Sequence, residues 1–247
     1  MSDWWVEMAG SGAFVPYLNV TTHLDDSPDQ DLLGEKGGNG FPYLVLMDSE
    51  GVVLARRFRP MNADMMKSEL KAAAEVKAEL DKLRKKAKAQ PKNEKLQAEL
   101  AIELALRFAP QHSMEELKAH SMVKGLDEDL VERFNSWYAE KRFNDAYAAA
   151  VGGEGTRDEK LAALGESMLG LYKEGVRLPA DSDMAAYYYD YAVSGAIAAK
   201  DEESARGAFD LWKGCMDHMA EQMPQYAEDI EGSIGEMTAK IEEAFGG

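Results

Sequence analysis

The chain has 247 residues and a net charge of −17, and 45% of its residues are hydrophobic. A surface this acidic repels nucleic acid and anionic membranes, so we expect neither as a partner. No stretch of about 18 apolar residues is present, which excludes a typical membrane-spanning helix. The single cysteine, Cys215, excludes an internal disulfide bond and a two-thiol redox cycle within one chain.

The N-terminal segment, Met1–Glu7, lacks the basic region and the apolar stretch of a secretory signal. We therefore expect a cytoplasmic location for the chain as written, while a signal encoded upstream of Met1 stays an open alternative. The negative charge lies mainly in residues 125–247, which carry 26 acidic and 11 basic side chains.

The first 60 residues contain most of the strand signals. Phe14–Val20 predicts one strand. Further on, two apolar runs, Tyr43–Met47 and Val52–Arg56, flank the turn sequence Asp48–Gly51, and this spacing predicts a β-hairpin. Gly40, Phe41 and Pro42 precede the hairpin.

The order of strand, short helix, Gly-Phe-Pro, hairpin and long helix resembles the C-terminal part of a thioredoxin-like domain. The resemblance covers residues 1–60, with Asp3–Ala9 matching the end of the first long helix. It implies kinship with thiol-disulfide oxidoreductases and a cis bond before Pro42, which is uncommon in folded proteins. In that family Phe41 and Pro42 would present backbone to an extended substrate.

The Cys-x-x-Cys segment of the family would precede Met1. Without it, the strands Phe14–Val20 and Tyr43–Met47 lose the central strand between them and keep open edges. We expect these edges to pair with each other, to join a second copy as a homodimer, or to cause aggregation. Two explanations for the missing segment stay open. In one, the natural reading frame continues upstream and encodes a cysteine or selenocysteine. In the other, the chain is a redox-inactive remnant that is kept as a scaffold. As written, we expect no catalytic residue and no cofactor.

After Arg59-Pro60 the sequence predicts only helices. Asn62 is placed as the N-cap of a helix over Ala63–Gln90, and Pro91 ends it. Capping residues and breakers then predict seven more helices, at Asn93–Phe108, Ser113–Lys124, Asp127–Val151, Thr156–Glu174, Ser182–Lys200, Glu202–Gln222 and Pro224–Phe245. The expected fold is an incomplete thioredoxin-like α/β module, residues 1–90, followed by an acidic all-α domain, residues 91–247.

The helix pair Met184–Lys200 and Glu202–Met219 loosely resembles a tetratricopeptide hairpin, without a clean repeat period. Its predicted facing sides combine small and aromatic residues, namely Ala192, Gly195 and Ala196 against Ala205, Ala208, Phe209 and Trp212. A run of basic residues is interpreted as a solvated helix end, where cations oppose the helix dipole. It comprises Lys82, Arg84, Lys85, Lys86, Lys88 and Lys92.

The densest aromatic run, Tyr187 to Tyr191 with Asp190 inside it, is the candidate partner-binding site. On a helix these side chains point in four directions, so one or two belong to the core and the others face solvent or a partner. Tyr187, Tyr188 and Tyr191 are the candidate contacts of a peptide or partner protein, and packing between helices is the alternative.

Cys215, His218 and Met219 are weak candidates for a soft metal such as Cu(I), because they fall within one helical turn of each other. An apolar helix face is the alternative explanation. A single cysteine on one helix offers no second arm for a closed site, so we predict no metal.

Overall fold

The computed structural model describes residues 6, 9–10, 12, 14–17, 29, 31–38, 40, 43–57 and 62–246. Over these residues the fold combines a two-stranded antiparallel sheet with nine α-helices, which confirms the predicted mixed class at this level. The chain divides into two compact units, Met1–Phe134 and Asn135–Gly247. No helix in the described ranges has both the length and the apolar character to cross a bilayer.

The elements that start in the first unit are α1 (Leu32–Glu35), β1 (Leu44–Met47), β2 (Val53–Arg57), α2 (Ala63–Ala89), α3 (Glu94–Leu106), α4 (Met114–Ser121) and α5 (Glu128–Gly152). The expected strand at Phe14–Val20 is not found over its described part, Phe14–Tyr17. Val15 is 91% exposed there, so no apolar surface covers it. Pro16 also lacks the N–H that a ladder needs.

The hairpin forms where the turn sequence predicts it. The Asp48 carboxylate accepts hydrogen bonds from the backbone N–H groups of Glu50, at 2.9 Å, and Val52, at 3.0 Å. Gly51 takes a φ of 77°, which glycine adopts at little cost. The ladder pairs Leu44 with Arg57 and is irregular between Leu46 and Met47. The second strand starts at Val53, one residue later than expected.

Arg84 on α2 does not belong to a solvated helix end, which corrects that part of the sequence interpretation. Its guanidinium lies 3.0 Å from the Asp48 carboxylate and 2.6 Å from that of Glu50. Because Asp48 is nearly buried, with a side chain 2% exposed, the hairpin turn supplies a fixed anion for this arginine. Lys86 and Lys88 do lie in the last turn of α2, as the dipole argument expects.

The segment after α3 closes one side of the hairpin. The N–H of Val53 donates to the carbonyl of Arg107 at 3.0 Å, and the Lys36 ammonium donates to the carbonyl of Phe108 at 3.2 Å. The Arg56 guanidinium lies 4.8 Å from the centre of the Phe108 ring. Beneath these contacts, Val52, Leu80 and Leu104 form a small buried cluster.

The second unit contains the rest of α5, followed by α6 (Arg157–Lys173), α7 (Ala185–Ala198), α8 (Glu202–Gln222), a 3-10 turn (Pro224–Tyr226) and α9 (Ala227–Phe245). One large apolar core joins these helices, and its largest fully buried side chains are Phe143, Leu164, Met168, Tyr188, Tyr189, Val193 and Cys215. Helices α7 and α8 bury the small faces that the sequence predicted, and Phe209 is partly buried beside them.

Two glycines let α6 and α7 pack backbone against backbone. A Cβ atom added to Gly195 would lie 2.1 Å from the carbonyl oxygen of Gly165, a distance that real Cβ atoms do not show. Both glycines are buried. This crossing fixes α7, the helix that carries the tyrosine run.

Candidate partner-binding surface

Helix α7 divides the tyrosine run between the core and the surface. Tyr188 and Tyr189 are fully buried, with exposed fractions of 0% and 1%. The Tyr188 hydroxyl donates to the carbonyl of Val176 at 3.0 Å. The Tyr189 hydroxyl donates to the carbonyl of Leu178 at 2.9 Å and accepts from the Leu178 N–H at 3.0 Å.

These two tyrosines hold the loop between α6 and α7 and are not available to a partner. Burial raises the pKa of the Tyr188 hydroxyl, and it raises the pKa of the Tyr189 hydroxyl to about 12. Both groups therefore stay neutral and keep their hydrogen bonds. Of the sequence candidates, Tyr188 is a core residue, and Tyr187 and Tyr191 remain.

Tyr187, Tyr191 and Tyr147 form one surface, which we call the tyrosine surface. Tyr187 is 58% exposed, Tyr147 on α5 is 38% exposed, and Tyr191 is half-buried. Burial raises the pKa of Tyr191, and Tyr147, Asp190 and Tyr187 raise it further, whereas the charge of Arg157 lowers it. The centre of the Phe143 ring lies 5.9 Å from that of Tyr147 and 6.0 Å from that of Tyr188, so Tyr147 lies on the part of α5 that packs against α7.

Two aliphatic side chains extend the tyrosine surface. Val151 follows Tyr147 by four residues on α5 and is 43% exposed. Leu161 follows Arg157 by four residues on α6 and is 42% exposed. Residues four apart on a helix share a face, so Val151 lies on the same side of α5 as Tyr147, and Leu161 lies on the same side of α6 as Arg157.

The hydroxyls of the tyrosine surface are open to a ligand. Within the described part of the chain, those of Tyr147, Tyr187 and Tyr191 make no hydrogen bond. A tyrosine of this kind offers an apolar ring and an unused donor to an incoming chain.

Asp190 borders the tyrosine surface as a half-buried carboxylate. Burial raises its pKa, and the charge of Lys240 on α9 lowers it in part. Among the described residues, no lysine, arginine or histidine nitrogen lies within 4.0 Å of the Asp190 carboxylate oxygens, which is the limit for an ion pair. In contrast, Asp201 at the start of α8 is paired with Lys173 at 2.6 Å.

Cys215, His218 and Met219 share one side of α8, as the sequence spacing requires, but the thiol points into the core. Cys215 is 2% exposed, and its Sγ–H donates to the carbonyl of Leu211 at 3.3 Å. Burial raises the pKa of the Cys215 thiol, which disfavours the thiolate that a metal needs. The part of the chain that the structure describes holds no group of three or more His, Cys, Asp and Glu side chains fit for a metal.

Phe41 and Pro42, the substrate contacts implied by the thioredoxin-like resemblance, lie outside the described residues. The adjacent Tyr43 donates its hydroxyl to the carbonyl of Lys36. The cis bond and the substrate role of Phe41 and Pro42 therefore stay predictions.

Comparisons with protein-family models, with curated proteins and with solved structures return no match. The tyrosine surface must therefore be interpreted from its own chemistry.

Sequence reasoning missed Tyr147, Val151 and Leu161. The available signal for Tyr147 was its position four residues after Phe143, at the edge of an apolar helix face. Nothing in the sequence indicated that this edge lies near Tyr187.

Proposed function

We propose that the second unit is a protein-interaction module and that its tyrosine surface binds a segment of a partner protein. The observation that carries the proposal is the set of exposed aromatic and aliphatic side chains on α5, α6 and α7, where the ring of Phe143 on α5 contacts the rings of Tyr147 and of Tyr188 on α7. Contiguous apolar areas on a protein surface mark interaction sites more often than isolated exposed residues do.

The support beneath the surface is rigid, which suits binding. Buried hydrogen bonds hold Tyr188 and Tyr189 in place, and Gly195 lets α7 pack closely against α6. Tyrosine also offers a large contact area and loses little side-chain entropy when it is immobilised. Binding to a preorganised surface of this kind costs less conformational entropy than binding to a flexible loop, so less affinity is lost.

The test uses the full chain and a phage-displayed library of random peptides. We expect enrichment of a peptide family that binds the wild-type protein and binds the Tyr187→Ala variant at least about tenfold more weakly, as for an aromatic interface residue. Tyr226→Ala is the matched control, because Tyr226 is 51% exposed in the 3-10 turn after α8, and we expect it to bind normally.

Both variants should unfold at the wild-type temperature, since neither ring is part of the core. No enrichment, or enriched peptides that bind the Tyr187→Ala variant as tightly as the wild type, would refute the proposal.

As a second candidate, we propose that the first unit is a redox-inactive relative of thiol-disulfide oxidoreductases. The hairpin followed directly by the long helix α2 supports this reading. Cys215 lies in the other unit, with a buried thiol of raised pKa, so it is a poor nucleophile. We expect the purified chain not to reduce insulin disulfides in the presence of dithiothreitol above the rate of the reagent alone. Turnover that persists in the Cys215→Ser variant would contradict this second proposal.

A further inference from the structure

We infer that the tyrosine surface selects a cationic segment, whose lysine or arginine pairs with Asp190 while neighbouring residues contact the tyrosine rings. The inference rests on the proposed function and adds the chemical class of the partner. Tyr187 precedes Asp190 by three residues on α7, so the carboxylate and an exposed ring occupy neighbouring positions of one helix face.

Asp190 is suited to an external cation because its charge is only partly solvated and has no close internal partner. Lys240 and Arg157 are the described cations whose charges reach this cluster, and neither forms an ion pair with Asp190. An incoming ammonium or guanidinium group would restore the interactions that burial removed. The same cation would lie near the ring of Tyr187, where a cation–π contact adds to the attraction.

The charge of the whole unit acts in the same direction. Residues 135–247 carry 22 acidic and 10 basic side chains, a net charge of −12. A field of this sign attracts a basic segment from a distance and repels an acidic one, which raises the association rate and narrows the choice of partner.

The occupant of the surface is therefore a basic, partly apolar peptide segment. The tyrosine rings and the side chains of Val151 and Leu161 would take its apolar residues, and Asp190 would take its cation. An apolar segment without charge is the competing occupant, and the experiment separates the two.

The experiment compares the peptides enriched by the full wild-type chain with the unselected library. We expect an excess of lysine and arginine among them. We also expect Asp190→Asn to lower their affinity about five- to tenfold at about 0.05 M salt, with a smaller loss at about 0.5 M salt because salt screens the pair. Asp210→Asn is the matched control, since Asp210 is an exposed acid on α8, and we expect it to change affinity less than twofold.

Asp190→Asn removes a half-buried charge without a partner, so we expect the variant to fold with an unchanged or higher melting temperature. Enrichment of neutral or acidic peptides, or affinity that is unchanged in Asp190→Asn, would overturn the inference. If those peptides still require Tyr187, the proposed function survives. If no peptide is enriched, both fail.

Discussion

The first and the second unit are stabilised by different kinds of contact. In the first, a short hairpin with a small apolar cluster is held by a charged arginine, a nearly buried aspartate and backbone hydrogen bonds to the segment after α3. In the second, one continuous apolar core joins five helices, and its buried hydroxyls bond to backbone carbonyls.

This difference indicates which substitutions each unit tolerates. Close packing makes the second unit sensitive to added volume, because dense interiors do not expand freely. Ionic contacts make the first unit sensitive to pH and to the loss of a charge. The second unit can also expose Tyr187 without losing stability, since this ring lies outside the core, whereas Tyr191 packs against it.

The largest effect should come from adding volume where α6 crosses α7. We expect Gly195→Ala to lower the free energy of unfolding by about 3 kcal/mol, because the new Cβ would meet the Gly165 carbonyl oxygen at 2.1 Å. Urea unfolding followed by circular dichroism measures this. The control Gly170→Ala, on α6 with open space around it, should be neutral or slightly stabilising. A Gly195→Ala variant as stable as the wild type would show that the crossing is looser than described.

A smaller loss should follow removal of a buried hydroxyl from the second unit. Tyr189→Phe leaves the N–H and the carbonyl of Leu178 without that partner, and we expect a loss of about 2 kcal/mol. Tyr187→Phe, at a ring that is 58% exposed, serves as the control and should unfold as the wild type does. Equal stability of the two variants would contradict the conclusion that the Tyr189 hydroxyl stabilises the loop between α6 and α7.

The first unit should respond to the loss of one charge. Asp48→Asn keeps an oxygen for the turn N–H groups but removes the anion that faces Arg84, and we expect a loss of about 1 kcal/mol at neutral pH. Burial alone would raise the pKa of Asp48, but the hydrogen bonds from Val52, Arg84 and Glu50 lower it below its ordinary value of 3.8.

The sign of that shift fixes the pH dependence. Because the folded pKa is lowered, the stability that Asp48 contributes is complete above pH 3.8 and is lost as the pH falls through the folded pKa. The difference between the wild type and Asp48→Asn should therefore shrink in acid. Glu50→Gln, at a carboxylate that is 59% exposed, is the control and should change little. A difference that persists unchanged in strong acid would contradict the ionic role of Asp48.

Local signals predicted the helices well. The side chains of Asn62, Asn93 and Asp201 accept hydrogen bonds from backbone N–H groups at the starts of their helices, and Ser113 and Thr156 form capping boxes. The hairpin was predictable for the same reason, since Asp48 and Gly51 set its turn within four residues.

Contacts between distant residues were not predictable in this way. Arg84 looks like a member of a lysine-rich helix end until the turn at Asp48 is placed beside it, 36 residues away. Tyr188 and Tyr187 look equivalent in sequence, and only the packing of α7 puts one in the core and the other at the surface. The expected strand at Phe14–Val20 had the right residue types, but its described part has no sheet partner.

The most direct test of the interaction surface is a chemical-shift map of the ¹⁵N-labelled protein with a selected peptide. We predict that the shifted amides cluster in the facing parts of α5, α6 and α7, around Tyr147, Leu161 and Tyr187, while those around Tyr226 stay in place. Shifts confined to other surfaces, with the amides around Tyr187 unchanged, would show that the tyrosine surface is not where the partner binds.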